Sequence, residues 1–189
     1  MSALRYGAAG ANIQSEMKKA SFDTIVRVLN EAQVPFLIVG GIAVIHHGYG
    51  RMTQDVDMVI RLEKKIIGRA FRALAQIGYQ PAVPVTATEF ADPKRREKWQ
   101  REKNMKVLRF WSDAHRGTPL DVFVTEPFDF AREFADADVL ESAPGLPVRI
   151  VSMATLLDMK RLAARPQDLA DIDEINLLHG KSSSYDRET

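Results

Sequence analysis

The chain has 189 residues, 46% hydrophobic and 27% charged, with a formal net charge of +1; this is the make-up of one globular domain able to bury its own core. It has no cysteine, which excludes a disulfide scaffold, thiolate zinc sites and a cysteine nucleophile, and is compatible with a cytoplasmic protein. The balanced charge gives no global signature for nucleic acid, and no segment reads as a membrane span or a signal peptide.

Residues 1–14 and the polar tail 181–189 read as weakly ordered ends. Met17, Phe22, Ile25, Val26 and Leu29 recur at helical spacing between about 15 and 33. Pro35 stops that helix, and Phe36-Leu37-Ile38-Val39 reads as a short buried strand. Gly40-Gly41 then makes a turn, and residues 42–47 form a short helix closed by Gly48 and Gly50. Residues 55–61 alternate as a strand whose beginning is half polar. A helix follows over 63–77, capped by Gly78, and a short strand within 80–85.

The stretch 86–104 is polar and rich in Arg and Lys. Residues 106–111 and 120–124 form a strand pair joined by SDAHRGTP, whose Gly and Pro suit a turn. Residues 148–151 make a short strand. Ser152 N-caps a helix running to about 164, and Pro166 opens a last helix that ends near His179-Gly180. The expectation is a mixed α/β (α+β) fold in a single domain over 1–189. Its core covers about 15–151 and its C-terminal helical part about 152–180.

The chemistry concentrates in FLIVGGIAVIHHGYGRMTQDVDMVI, residues 36–60. Two glycines after a buried strand let the backbone approach a ligand, and a following helix N-terminus favours phosphate. Gly-Gly alone is more often a tight turn with no ligand. Asp55 and Asp57, at i and i+2 on a strand, point to one face. Side by side they repel, and a divalent cation relieves that repulsion; a solvated edge face is the plainer alternative. Asp121 opens the apolar run Val122-Phe123-Val124. If its strand lies beside the one starting at Asp55, three carboxylates converge, enough for two metal ions.

Gly40-Gly41, thirteen residues, then Asp55-Val56-Asp57-Met58 resembles the signature of the nucleotidyltransferases of the DNA polymerase β superfamily. The string GGIAVIHHGYGRMTQDVD is closer still to the AbiEii-type toxin nucleotidyltransferases. In these an Arg-x-Thr-x-Asp-h-Asp string is frequent, here Arg51, Thr53, Asp55 and Asp57. The resemblance implies a mixed sheet, metal ligation by Asp55, Asp57 and Asp121, and Gly40 and Gly41 cradling the β- and γ-phosphates. SMATLLDMKRLAARPQDLADIDEI is similar to a C-terminal segment of those toxins. It implies Lys160 at the triphosphate with Asp168 and Asp171 near it; a surface Lys and a first-turn acid are the plainer readings. The match spans roughly 36–61 and 119–178. Many relatives have Ser where this chain has Gly41, which removes a hydroxyl contact to phosphate.

The implied activity is Mg²⁺-dependent transfer of a nucleoside monophosphate from a nucleoside triphosphate to a hydroxyl, with two Mg²⁺ ions. The implied acceptor is tRNA or another RNA, or a protein, and the implied role is the toxin of a toxin–antitoxin pair with an antitoxin protein as partner. The alternatives are a small-molecule acceptor of the aminoglycoside kind, and a non-catalytic nucleotide- or partner-binding protein of the same fold. Arg51 and Thr53 either meet the ligand or shape the loop. His46 and His47 are adjacent on a helix and so point apart, which disfavours a shared metal. The basic run 93–106 around Trp99 fits an RNA-binding flap or a solvated helix, with the flap slightly favoured. Met153, Leu156, Leu157, Met159 and Leu162 read as core.

Overall fold

The computed structural model describes residues 13–180, and their side chains from Lys19 onward. Helix α1 (Ile13–Glu31) precedes strand β1 (Phe36–Ile38), helix α2 (Gly40–His46), strand β2 (Val56–Ile60) and helix α3 (Lys64–Gln76). Then come β3 (Gln80–Pro81), α4 (Ala87–Ala91), α5 (Pro93–Lys103), β4 (Val107–Trp111) and β5 (Leu120–Phe123). The order closes with α6 (Phe130–Asp136), β6 (Asp138–Ala143), β7 (Leu146–Ile150), α7 (Met153–Ala163) and α8 (Pro166–Leu178).

The strands form one mixed sheet of seven in the order β3-β4-β5-β2-β1-β7-β6. β1 and β2 lie at its centre, and all three residues of β1 are buried. A strand covered on both faces is apolar without alternation, which is why residues 36–39 show no polar partner in sequence. β2 runs antiparallel to β1, with Ile38 opposite Met58, and parallel to β5, with Asp57 opposite Asp121. β4 and β5 pair antiparallel, with Arg109 opposite Asp121. The core is built from Ile25, Leu29, Leu37, Ile38, Met58, Ile67 and Leu74 and their neighbours.

The elements follow the sequence expectations with four differences. Gly40 and Gly41 open α2 instead of forming only a turn before it. The strand within 80–85 shrinks to Gln80–Pro81. The polar stretch 86–104 is two helices: Thr86 and Glu89 form a capping box on α4, and Asp92 caps α5 with Pro93 in its first turn. α6 and β6 had no sequence expectation. β6 is a half-exposed edge strand pairing with β7 around Gly145, whose φ is +69°. The expected weak order of 1–14 and 181–189 lies, but for the start of α1, outside the described residues. Leu162, expected in the core, is 82% exposed, because it lies on the outer side of α7 away from Leu156 and Leu157.

Candidate active site

β1 delivers the chain directly over β2. The amide of Val39 donates to the carbonyl of Asp57 at 3.0 Å, and Gly40 follows with φ +61°. A side chain at Gly40 would collide with the Asp57 carboxylate, so glycine there satisfies both the left-handed backbone and the close approach. Gly41 is similarly enclosed. A Cβ on it would overlap the Thr53 hydroxyl and stand 2.7 Å from Thr53 Cβ. A serine at position 41 would therefore meet the Thr53 side chain.

The three acids come together through strand register. Asp57 and Asp121 face each other across the parallel β2–β5 pair, and Asp55 stands just before β2, on the same face as Asp57. Asp121 is buried, while the Asp55 side chain is 37% exposed. Burial, then the neighbouring carboxylates of Asp121 and Asp55, push the Asp57 carboxyl up to about 6.

Arg109, which carried no sequence expectation, reaches across from β4. Its Nε donates to Asp121 Oδ1 at 2.8 Å and its Nη2 to Asp121 Oδ2 at 2.7 Å, a bidentate fork. The same Nη2 donates to Asp55 Oδ2 at 2.9 Å. Those hydrogen bonds to Asp121 hold the guanidinium above its ordinary range.

A second, buried charge network joins the helix pair α7–α8 to the loop before β2. Lys160 is 5% exposed, and its Nζ donates to Asp171 Oδ2 at 2.6 Å and Asp168 Oδ1 at 3.2 Å. Arg51 lies across Asp171, with Nε 3.0 Å from Oδ1. Gln167 also donates to Asp171, and Arg165 forks onto Asp168. Burial pushes the Asp168 carboxyl up, but hydrogen bonds from Arg165 and Lys160 outweigh it and hold the group below its usual value. Arg165 is also close enough to Asp57 to lower that group's pKa, which links this network to the acids. The resemblance puts Lys160 at a triphosphate; its ammonium here is enclosed between Asp168 and Asp171, and Arg165 is the exposed cation on this side.

The basic run is elsewhere. Pro93, Arg96 and Glu97 of α5 line a cleft of about 420 Å³ with Arg61, Glu63 and Glu126. Val124, beyond the end of β5, donates to Lys106. Both ends of α5 thus flank the C-terminal ends of β2 and β5, whereas the acids sit at the opposite ends, roughly 13 Å away along β2. Arg95 pairs with Glu89, and Lys98 and Arg101 with Glu102. α5 is therefore a solvated helix that keeps an excess of positive charge, with Trp99 packed on the core, and it is not a flap over the acids.

His46 and His47 do approach each other, with ring centroids 4.8 Å apart. With Asp138 their ligand atoms lie within 4.8 Å of one another. Each ring has a structural partner: His46 Nε2 is 2.8 Å from Asp138 Oδ2, and His47 Nε2 donates to the Val151 carbonyl at 2.9 Å. These contacts tie the end of α2 to β6 and β7.

Three carboxylate groups around one register line are hard oxygen donors of the kind a divalent cation takes. Burial first, and then the carboxylates of Asp121 and Asp55, keep the Asp57 carboxyl raised even with the Arg109 fork in place. Asp55, Asp57 and Asp121 supply donors of that kind beside the Gly40 backbone, which folds directly over the Asp57 carboxylate.

No family model matches the sequence, and no curated protein matches it. Solved structures do match in shape. The chain superposes on the solution structure of the antibiotic-resistance factor ANT(2'')-Ia with TM-score 0.55 and 16% identity, over 88% of this chain and 86% of that one. The crystal structure of ANT(2'')-Ia in complex with adenylyl-2''-tobramycin gives TM-score 0.54 and 15% identity, over 87% and 90%. An antigenic nucleotidyltransferase-like protein from Paracoccidioides brasiliensis matches with TM-score 0.46 and 18% identity, over 87% and 77%. The chain has the nucleotidyltransferase fold, a mixed sheet flanked by helices.

Proposed function

We propose that this protein is a single-domain, Mg²⁺-dependent nucleotidyltransferase that moves a nucleoside monophosphate from a nucleoside triphosphate to a hydroxyl. The observation that carries this reading is the placement of Asp57 opposite Asp121, with Asp55 on the same face and Gly40 folded over the Asp57 carboxylate. Paired acids at that spot would repel phosphate unless a cation intervened, so a plain anion-binding role makes little sense of them.

Asp55, Asp57 and Asp121 hold up to two Mg²⁺ ions. Mg²⁺ bound there supplies the charge that neutralises the triphosphate and the leaving group. Gly40 and Gly41 let the backbone amides approach the β- and γ-phosphates. Arg165 and Arg51 face the nucleotide, positioned by the buried Lys160, Asp168 and Asp171, and Thr53 shapes the same wall. The acceptor oxygen bonds to the α-phosphorus as its bond to the bridging oxygen breaks, and pyrophosphate leaves. Asp121 takes the acceptor proton. Nearly all of the catalysis is positioning and charge neutralisation.

For the acceptor, the AbiEii-like Arg51-x-Thr53-x-Asp55-x-Asp57 string favours tRNA, another RNA or a protein, with a toxin role and an antitoxin partner in the cytoplasm. The placement of α5 at the far ends of the strands removes one support for RNA. The likeness in fold to ANT(2'')-Ia, solved with adenylyl-2''-tobramycin, supports a small-molecule acceptor as the second reading.

The test is Mg²⁺-dependent labelling. The protein is incubated with each of the four α-³²P-labelled nucleoside triphosphates plus total tRNA, cell protein and an aminoglycoside panel, beside Asp55→Ala/Asp57→Ala. Label on one acceptor class, absent from the variant, supports the enzyme and names its base and acceptor. Nucleotide binding without any label sinks turnover and leaves a binding protein of the same fold.

A further inference from the structure

Arg109 occupies the carboxylate oxygens that a cation would need. Its fork takes both oxygens of Asp121, and its Nη2 also holds Asp55, with contacts of 2.7 to 2.9 Å. A guanidinium does not deprotonate in proteins, so it can leave these acids only by being displaced. Its setting permits that. β4 alternates, with Leu108 and Phe110 buried on one face and Arg109 on the other, its side chain 50% exposed. The side chain can swing outward without opening the core. The positive end that swings away from Asp121 belongs to a strand two places from β2, roughly 10 Å across the sheet from the Gly40 backbone over Asp57, so a phosphate that meets both would lie between them.

We propose that Arg109 is a displaceable internal counter-ion of the acidic site: it holds Asp55 and Asp121 before a cation binds, competes with free divalent cation, and passes to the phosphates of a nucleotide arriving with its metal. This inference rests on the reading of Asp55, Asp57 and Asp121 as a cation site. With Arg109 in place the three carboxylates carry a net of two negative charges, and its release exposes the third. Bare metal is thereby disfavoured relative to the metal–nucleotide complex, which offers the guanidinium a new anionic partner.

The test is binding. Mn²⁺ is titrated into the nucleotide-free protein by electron paramagnetic resonance, for wild type, Arg109→Gln, Arg109→Lys and Asp55→Ala/Asp57→Ala. Binding of α,β-methylene nucleotide analogues is then measured in excess Mg²⁺. Arg109→Gln is expected to bind Mn²⁺ at least about tenfold tighter than wild type and the analogues several-fold more weakly, with Arg109→Lys between. An Mn²⁺ affinity in Arg109→Gln equal to or below wild type overturns the competition. Unchanged analogue affinity overturns the transfer to phosphate. If Arg109→Gln does not fold, Arg109→Lys decides by the same criterion. Mn²⁺ binding that survives Asp55→Ala/Asp57→Ala defeats the cation reading itself. Binding lost there but unchanged in Arg109→Gln defeats only the role of Arg109.

Discussion

Asp57→Asn isolates the electrostatic cost built into the acidic site. Asn keeps the shape and removes the charge. Burial beside Asp121 and Asp55 raises the Asp57 carboxyl from its ordinary 3.8 to about 6, which corresponds to about 3 kcal/mol between the two protonation states. The fold prefers the protonated acid. Its contribution is therefore fully present below pH 3.8 and is lost as pH rises through about 6. Metal-free wild type should lose about 2 kcal/mol relative to Asp57→Asn between about pH 4.5 and pH 8. Urea unfolding in EDTA across that range measures the difference, and added Mg²⁺ should stabilise wild type at pH 8 while leaving the Asn variant nearly unmoved. A stability difference that stays flat with pH, or an Asn variant that becomes relatively less stable at high pH, refutes the reasoning.

Gly40→Ala places a methyl into the Asp57 carboxylate at φ +61°, and should cost about 2 kcal/mol or more and abolish nucleotide binding, both read on one purified variant. Gly41→Ser should be destabilised by about 1–3 kcal/mol, because Thr53 fills the space; an unchanged urea midpoint would mean that the Thr53 loop yields freely. Lys160→Ala removes the buried ammonium but leaves Arg165 on Asp168 and Arg51 and Gln167 on Asp171, and chemical denaturation should record a loss of about 1–3 kcal/mol. Glu133 accepts from the Ser152 amide and the Thr155 hydroxyl, each at 2.6 Å. Glu133→Ala should therefore lower stability by about 2 kcal/mol, with hydrogen exchange speeding first at the start of α7.

Local rules made much of the molecule legible from sequence. The apolar run 36–39, the Asp-Val-Asp alternation, the cap at Ser152 and the opening Pro166 all act within a few residues, and each element appears where its signal stands. Asp55 and Asp57 share a face by strand period alone. α6 and β6 escaped because seven- and six-residue elements at a half-exposed edge carry little periodicity. Trp99 and the basic run read alike as flap or as solvated helix, since composition does not say which end of a strand a helix flanks.

What only the tertiary structure decided is partnership across the sheet. The β4–β5 connection is too long to set register by turn type, so nothing in the chain announces that Asp121 stands opposite Arg109 on one side and Asp57 on the other. The enclosure of Lys160 by Asp168 and Asp171, and the Thr53 side chain in the place of a serine at 41, likewise depend on packing between segments far apart in sequence. Residue type and spacing supplied the carboxylates; the long-range pairing of strands supplied their counter-ion, because a charge finds its partner through space.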